Sequence, residues 1–92
     1  MAWVTVQRDQ FRLLQGAPKS FRSSDHATRS FCGACGTPLT FCSDHLPDEI
    51  DVTIASLDEP DRVAPEDHTW VSSKLGWVEI SDRLPQFEKA RP

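Results

Sequence analysis

Nine residues constrain this chain more than any other stretch: Phe31-Cys32-Gly33-Ala34-Cys35-Gly36-Thr37-Pro38-Leu39. Two cysteines with two residues between them, each followed by a glycine, predict a tight loop that aims both sulfurs at one point. The glycines permit backbone angles that a Cβ disfavours, and Pro38 stiffens the exit. Such a loop is a metal knuckle, half of a tetrahedral site, because Zn²⁺ is well served by thiolates at about 2.3 Å. Cys32 and Cys35 are therefore the candidate zinc ligands. A redox dithiol and a pair of inert thiols are the competing readings. A dithiol of the thioredoxin type opens a helix within a βαβ unit, whereas these cysteines lie between two strand candidates.

The segments around the knuckle read as strands. Ala2–Val6 is β-branched and aromatic, Phe11–Gln15 is a second strand candidate, and Ser20–Ser24 alternates polar with apolar. Residues 27–31 carry the chain into the knuckle, and Leu39–Cys42 leaves it as the other arm of a hairpin. The cleanest alternation is in Ile50–Ser56, with Ile50, Val52 and Ile54 on one face. His68–Val71 is a further candidate, Ser72–Trp77 a short turn, Val78–Ile80 another extended piece, and Arg83–Phe87 a packed tail. No segment longer than about ten residues has helical periodicity. The expected fold is a mostly-β small zinc-binding domain of short antiparallel sheets, few or no long helices, spanning residues 1–92.

Composition narrows the function classes. The net charge of -4 divides unevenly: residues 1–41 hold five Lys/Arg against two Asp, and residues 42–92 hold five against twelve Asp/Glu. Neither half has a dense basic block with interleaved aromatics, so no nucleic-acid partner is expected. No apolar run reaches the ~20 residues of a membrane span, and the N-terminus lacks a basic-then-apolar leader, so a cytoplasmic address is expected. Three cysteines are an odd number, which argues against a secreted disulfide framework.

Beyond the knuckle, Cys42 and His45 could complete a compact Cys₃His site. The plainer and favoured reading packs Cys42 as a small hydrophobe and leaves His45 in solvent. His68 and Trp70 stand two residues apart on one strand face and, with Trp77, could line a substrate pocket; core aromatics and a hydrogen-bonded histidine are the commoner outcome. His26 has no assigned role. The carboxylates between Asp44 and Asp61 are too dispersed for an acid/base pair. No phosphate-cradling glycine loop or serine elbow is present.

These motifs in this order resemble one family. Phe31-Cys32-x-x-Cys35-Gly36-Thr37-x-Leu39 is followed by Ile50-Asp51-Val52-Thr53, Ala55-Ser56-Leu57-Asp58-x-Pro60, His68-x-Trp70-x-x-Ser73, Trp77 and Asp82-x-Leu84-Pro85-x-Phe87. Over about residues 3–88 the chain is similar to the glutathione-dependent formaldehyde-activating family, which includes the centromere protein V domain. The resemblance implies a β-tent fold with a structural zinc on four cysteines, two of them here Cys32 and Cys35. It also implies a catalytic zinc on a separate upstream cluster, and a carbon–sulfur lyase activity joining glutathione to formaldehyde. The partners implied are a small thiol such as glutathione and an aldehyde.

The chain departs from that pattern because both upstream cysteine clusters lack counterparts, so the resemblance assigns no catalytic residue. An apolar strand with no lead-in suggests a domain truncated at its N-terminus. The alternatives are a short form that rebuilds its metal site from Cys42, His45 or a second subunit, and a non-catalytic zinc-binding or interaction module. The last would assemble, as a homodimer for instance, through open strand edges.

Overall fold

A computed structural model describes all 92 residues. Five strands form one antiparallel sheet: β1 (Trp3–Gln7), β2 (Lys19–Ser24), β3 (Ala27–Phe31), β4 (Pro38–Ser43) and β5 (Glu49–Thr53), in the order β1-β5-β4-β3-β2. The mostly-β expectation holds, and helical structure is limited to four single 3₁₀ turns. No helix is long and apolar enough to cross a membrane. β2 to β5 form a meander of successive neighbours, while β1 returns to the far edge beside β5, with Trp3 opposite Thr53 and Val6 opposite Ile50.

That order explains why Phe11–Gln15 is not a strand. β1 and β2 occupy opposite edges, so the connection between them must cross the sheet. It leaves β1 through a 3₁₀ turn at Arg8–Gln10 and passes Gly16, whose φ of 81° suits a residue without a Cβ. Phe11 is half-buried under this crossing, but Leu13 and Leu14 are 58% and 85% exposed. Ile50–Ser56 is likewise shorter as a strand than its alternation suggests. β5 ends at Thr53, and Ile54–Ser56 is a 3₁₀ turn closed by the Leu57 N–H on the Ile54 carbonyl. The Ser56 hydroxyl donates to the Thr53 carbonyl at 2.9 Å, a local bond that competes with the ladder.

Side chains alternate between faces along each strand, and the register turns this into two surfaces. One row crosses all five strands on a single face: Thr5, Asp51, Phe41, Arg29 and Phe21. Trp3 shares that face, with its ring edge-on to Phe41 at 6.3 Å between centroids. The other face carries Val4, Val6, Ile50, Val52 and Cys42, and the crossing segment lies over it.

The core is thin. Only Ala27, Ile50, Thr53 and Ile54 are buried. The accessible surface is 7520 Å², whereas a folded monomer of 10.4 kDa should expose about 5,400 Å². The radius of gyration, 14.2 Å, also exceeds the roughly 12.3 Å expected for this length. A single-layer sheet with sparse cover accounts for both excesses.

The C-terminal third has no sheet of its own. His68–Val71 contributes one isolated bridge, to Gln86, rather than a strand. Trp70 is the reason: its φ of 56° and ψ of 34° are left-handed, which ends the extended run and starts a 3₁₀ turn at Val71–Ser73. The expected packed tail is present. Pro85, Phe87, Glu88 and Lys89 carbonyls accept from the amides of His68, Val71, Ser72 and Trp70 in turn.

Candidate functional site: a thiol turn and a cavity over the sheet

The β3–β4 connection forms the turn its sequence predicts. The Cys32 N–H donates to the Thr37 carbonyl at 2.9 Å, and the Gly36 N–H to the Cys32 carbonyl at 2.7 Å. Gly36 has a φ of 80°, a conformation that disfavours any side chain. At Gly33 a Cβ would stand 3.1 Å from the exposed Lys19 side chain, a contact that a small shift of that flexible side chain relieves.

Cys35 lies exposed, with its Sγ 3.1 Å from the Thr37 Oγ1. This hydroxyl, then the Thr37 backbone N–H, then the Cys32 thiol hold its pKa below the ordinary thiol value. A lowered pKa makes the Cys35 thiolate, the form that metals and electrophiles require, easier to reach than that of a free thiol. Cys32 and Cys35 are two thiols in one short turn, where a tetrahedral zinc site takes four ligands. No group of three His, Cys, Asp or Glu side chains converges to hold an ion. The residues present thus supply half of a site.

Cys42 and His45 are not brought to this turn. Cys42 stands at the other end of β4, on the opposite face from Phe41, where it lines a cavity of about 790 Å³ beneath the crossing segment. His45 lies beyond it in the next loop, its ring 4.8 Å from that of His26. Asp44 beside them is ion-paired with Arg22, which keeps its carboxyl below the usual range. Cys42 lies four residue steps along β4 from Pro38, about 13 Å of strand beyond the knuckle's exit, and His45 lies further still.

His68 and Trp70 do come together. Both border a cavity of about 690 Å³ between the exposed face of the sheet and the loop of residues 63–70. Trp3, Arg29, Phe41 and Asp51 supply its floor. Trp77 lies outside that cavity and is 78% exposed. His68 is held by Asp82, with Nε2 2.8 Å from Oδ2. That contact, with the Leu84 N–H on Oδ1, keeps Asp82 below its ordinary pKa of 3.8.

Arg29 is a residue of the candidate site that the sequence did not mark. Its Cζ lies 4.9 Å from the Phe41 ring centroid and 5.9 Å from that of Trp3, a cation stacked on two rings. Arg29 and the two rings lie on three different strands, so only the register could have found it.

No curated protein and no solved structure matches this chain. A family model described as glutathione-dependent formaldehyde-activating enzyme matches residues 1–73, ending before Trp77 and the Asp82–Phe87 motif. The match takes in the thiol turn, every strand of the sheet and the loop that carries His68 and Trp70, and the chain belongs to the glutathione-dependent formaldehyde-activating enzyme family.

Proposed function

We propose that this domain serves carbon–sulfur chemistry on a glutathione-like thiol and a small aldehyde, of the lyase type. The carrying observation is the family match over residues 1–73, which contains the thiol turn and all of the sheet-face cavity's lining except Arg91. In the synthetic direction the thiol sulfur attacks the aldehyde carbon and a C–S bond forms. The carbonyl π pair moves to oxygen, which gains the proton that sulfur loses. In the lyase direction the same bond breaks and the proton returns.

Cys32 and Cys35 supply two thiolates of a zinc site in this reading. Bound zinc stabilises thiolates and polarises a carbonyl. The cavity supplies binding and orientation, since its volume lies within the usual range for small-molecule sites. The test is glutathione-dependent loss of formaldehyde, measured by NMR with and without added Zn²⁺. Turnover that requires glutathione supports the reading. Absence of turnover in the zinc-loaded protein refutes it.

A second reading, a non-catalytic interaction module, is favoured by one feature. β2 is an edge strand exposed along its whole length, with Phe21 62% exposed, on a chain whose surface exceeds that of a typical monomer. Light scattering distinguishes this reading, because a strict monomer at high concentration counts against assembly through that edge.

A further inference from the structure

We propose that His26 and His45 form a two-histidine site for a divalent first-row transition ion, bridging two turns at the end of the sheet remote from the thiol turn. His26 lies in the turn between β2 and β3, and His45 in the loop between β4 and β5. They meet because β3 pairs with β4, which sets Ala27 opposite Ser43. The Asp44 N–H donates to the His26 carbonyl at 2.7 Å and ties the two turns together beside the rings. Each histidine amide also donates to the serine hydroxyl two residues earlier, His26 to Ser24 and His45 to Ser43. The backbone thus brings both side chains to one place, where their rings stand 4.8 Å apart between centroids, tilted by 37°.

That separation matches what a shared ion requires. A metal–nitrogen bond of about 2.0–2.1 Å, with about 1.1 Å from nitrogen to ring centre, sets each ring centre about 3.2 Å from the ion. Angles of about 90–109° at the ion then place the two ring centres about 4.5–5.2 Å apart. Both histidines are exposed, and their ring nitrogens hydrogen-bond no protein group, so each neutral imidazole keeps a lone pair for a ligand. The Arg22–Asp44 ion pair beside the rings carries no net charge, so the nitrogens set the class of ion. Imidazole suits Zn²⁺, Ni²⁺ and Cu²⁺, whereas Mg²⁺ and Ca²⁺ take oxygen ligands. No third side chain converges here, so water completes the coordination and the ion exchanges readily. Zinc that survives dialysis against a chelator therefore reports on Cys32 and Cys35, not on this pair. A bound ion staples the β2–β3 turn to the β4–β5 loop and favours the folded state by mass action.

Ni²⁺ is the probe, titrated by calorimetry into chelator-dialysed protein carrying Cys32→Ser and Cys35→Ser, which removes the competing thiols of the turn. Saturable binding of one Ni²⁺ per chain is expected. In that background His26→Gln and His45→Gln should each weaken binding by at least about tenfold, no less than the loss of an outer-shell partner costs a metal site. The combined His26→Gln, His45→Gln variant should be no weaker than either single one, because a chelate needs both rings. Mg²⁺ in excess should not displace the Ni²⁺. In amide NMR spectra, paramagnetic Ni²⁺ should broaden the resonances around His26 and around His45 at the same midpoint.

Undiminished affinity in either single histidine variant, two independent ions per chain, broadening confined to one of the two turns, or no saturable binding would overturn the proposal. The NMR arm needs no histidine variant and decides the matter even if one of them fails to fold. Every outcome is independent of turnover, because neither histidine belongs to the thiol turn or to the cavity over the sheet. Ni²⁺ binding that needs both rings leaves this inference standing whether or not formaldehyde is consumed.

Discussion

Thr53→Val should cost this domain a large share of its stability, and the structure says why. Thr53 is the most buried residue in the chain, at 2% exposure, and one of only four in the core. Its hydroxyl lies 2.9 Å from the Pro38 carbonyl and 2.7 Å from the Ser56 hydroxyl. It thereby fastens the end of β5 both to the exit of the thiol turn and to the 3₁₀ turn that follows. Valine has nearly the same shape, so the change deletes polar fastening without opening a cavity. A buried hydrogen bond lost with its partner left unsatisfied costs about 1–3 kcal/mol. Taking about 2 kcal/mol, a domain of this size should melt about 8–16 °C lower. The assay is thermal denaturation followed by far-UV circular dichroism, with Thr53→Ser as the control that keeps the hydroxyl. Amide exchange at Cys32 and Gly36 should quicken in the valine variant, because their acceptors belong to the turn that Pro38 closes. A Thr53→Val melt within about 2 °C of the wild type, below the shift even of a 1 kcal/mol loss, would refute the argument.

Ile50→Ala should lower stability by about 2–4 kcal/mol, read by urea denaturation, because Ile50 is 5% exposed and few neighbours exist to refill the gap. Thr37→Val should move the pH dependence of Cys35 alkylation toward higher pH, since the Thr37 hydroxyl is the largest cause of its lowered pKa. Mass spectrometry of iodoacetamide labelling across a pH series checks this. Asp82 has a depressed folded-state pKa, so its contribution is complete above the ordinary carboxylate value of 3.8 and fades as pH falls through the lower folded value. His68→Gln should therefore flatten the loss of stability on the acid side, visible in melting points measured between neutral pH and about pH 3. Elemental analysis of the purified protein should find zinc, and Cys32→Ser with Cys35→Ser should abolish it; zinc retained by the double variant would remove the knuckle from the metal-binding reading.

Much of the sheet was legible because its signals are local. The alternation of Ile50 and Val52 marks β5, and the glycine-bracketed cysteines mark the turn between β3 and β4. What stayed hidden depends on partners distant in sequence. Phe11–Gln15 has strand composition, yet it must cross the sheet because β1 pairs with β5 rather than β2. His68–Val71 has the composition of an extended segment, but nothing in the residue type announces that Trp70 adopts a left-handed conformation. The cavity floor is the clearest case. Trp3, Arg29 and Phe41 share no motif, and they meet only because three strands align in one register.

The placement of β1 sets the order in which the chain can assemble. β2 to β5 join neighbours through short turns, so their closures are entropically cheap and early. Trp3 must wait for Thr53, fifty positions later, before it has anything to pair with. During synthesis β1 stays unpaired until β5 has been made. The floor beneath Arg29 is therefore the final part of the sheet to acquire its shape.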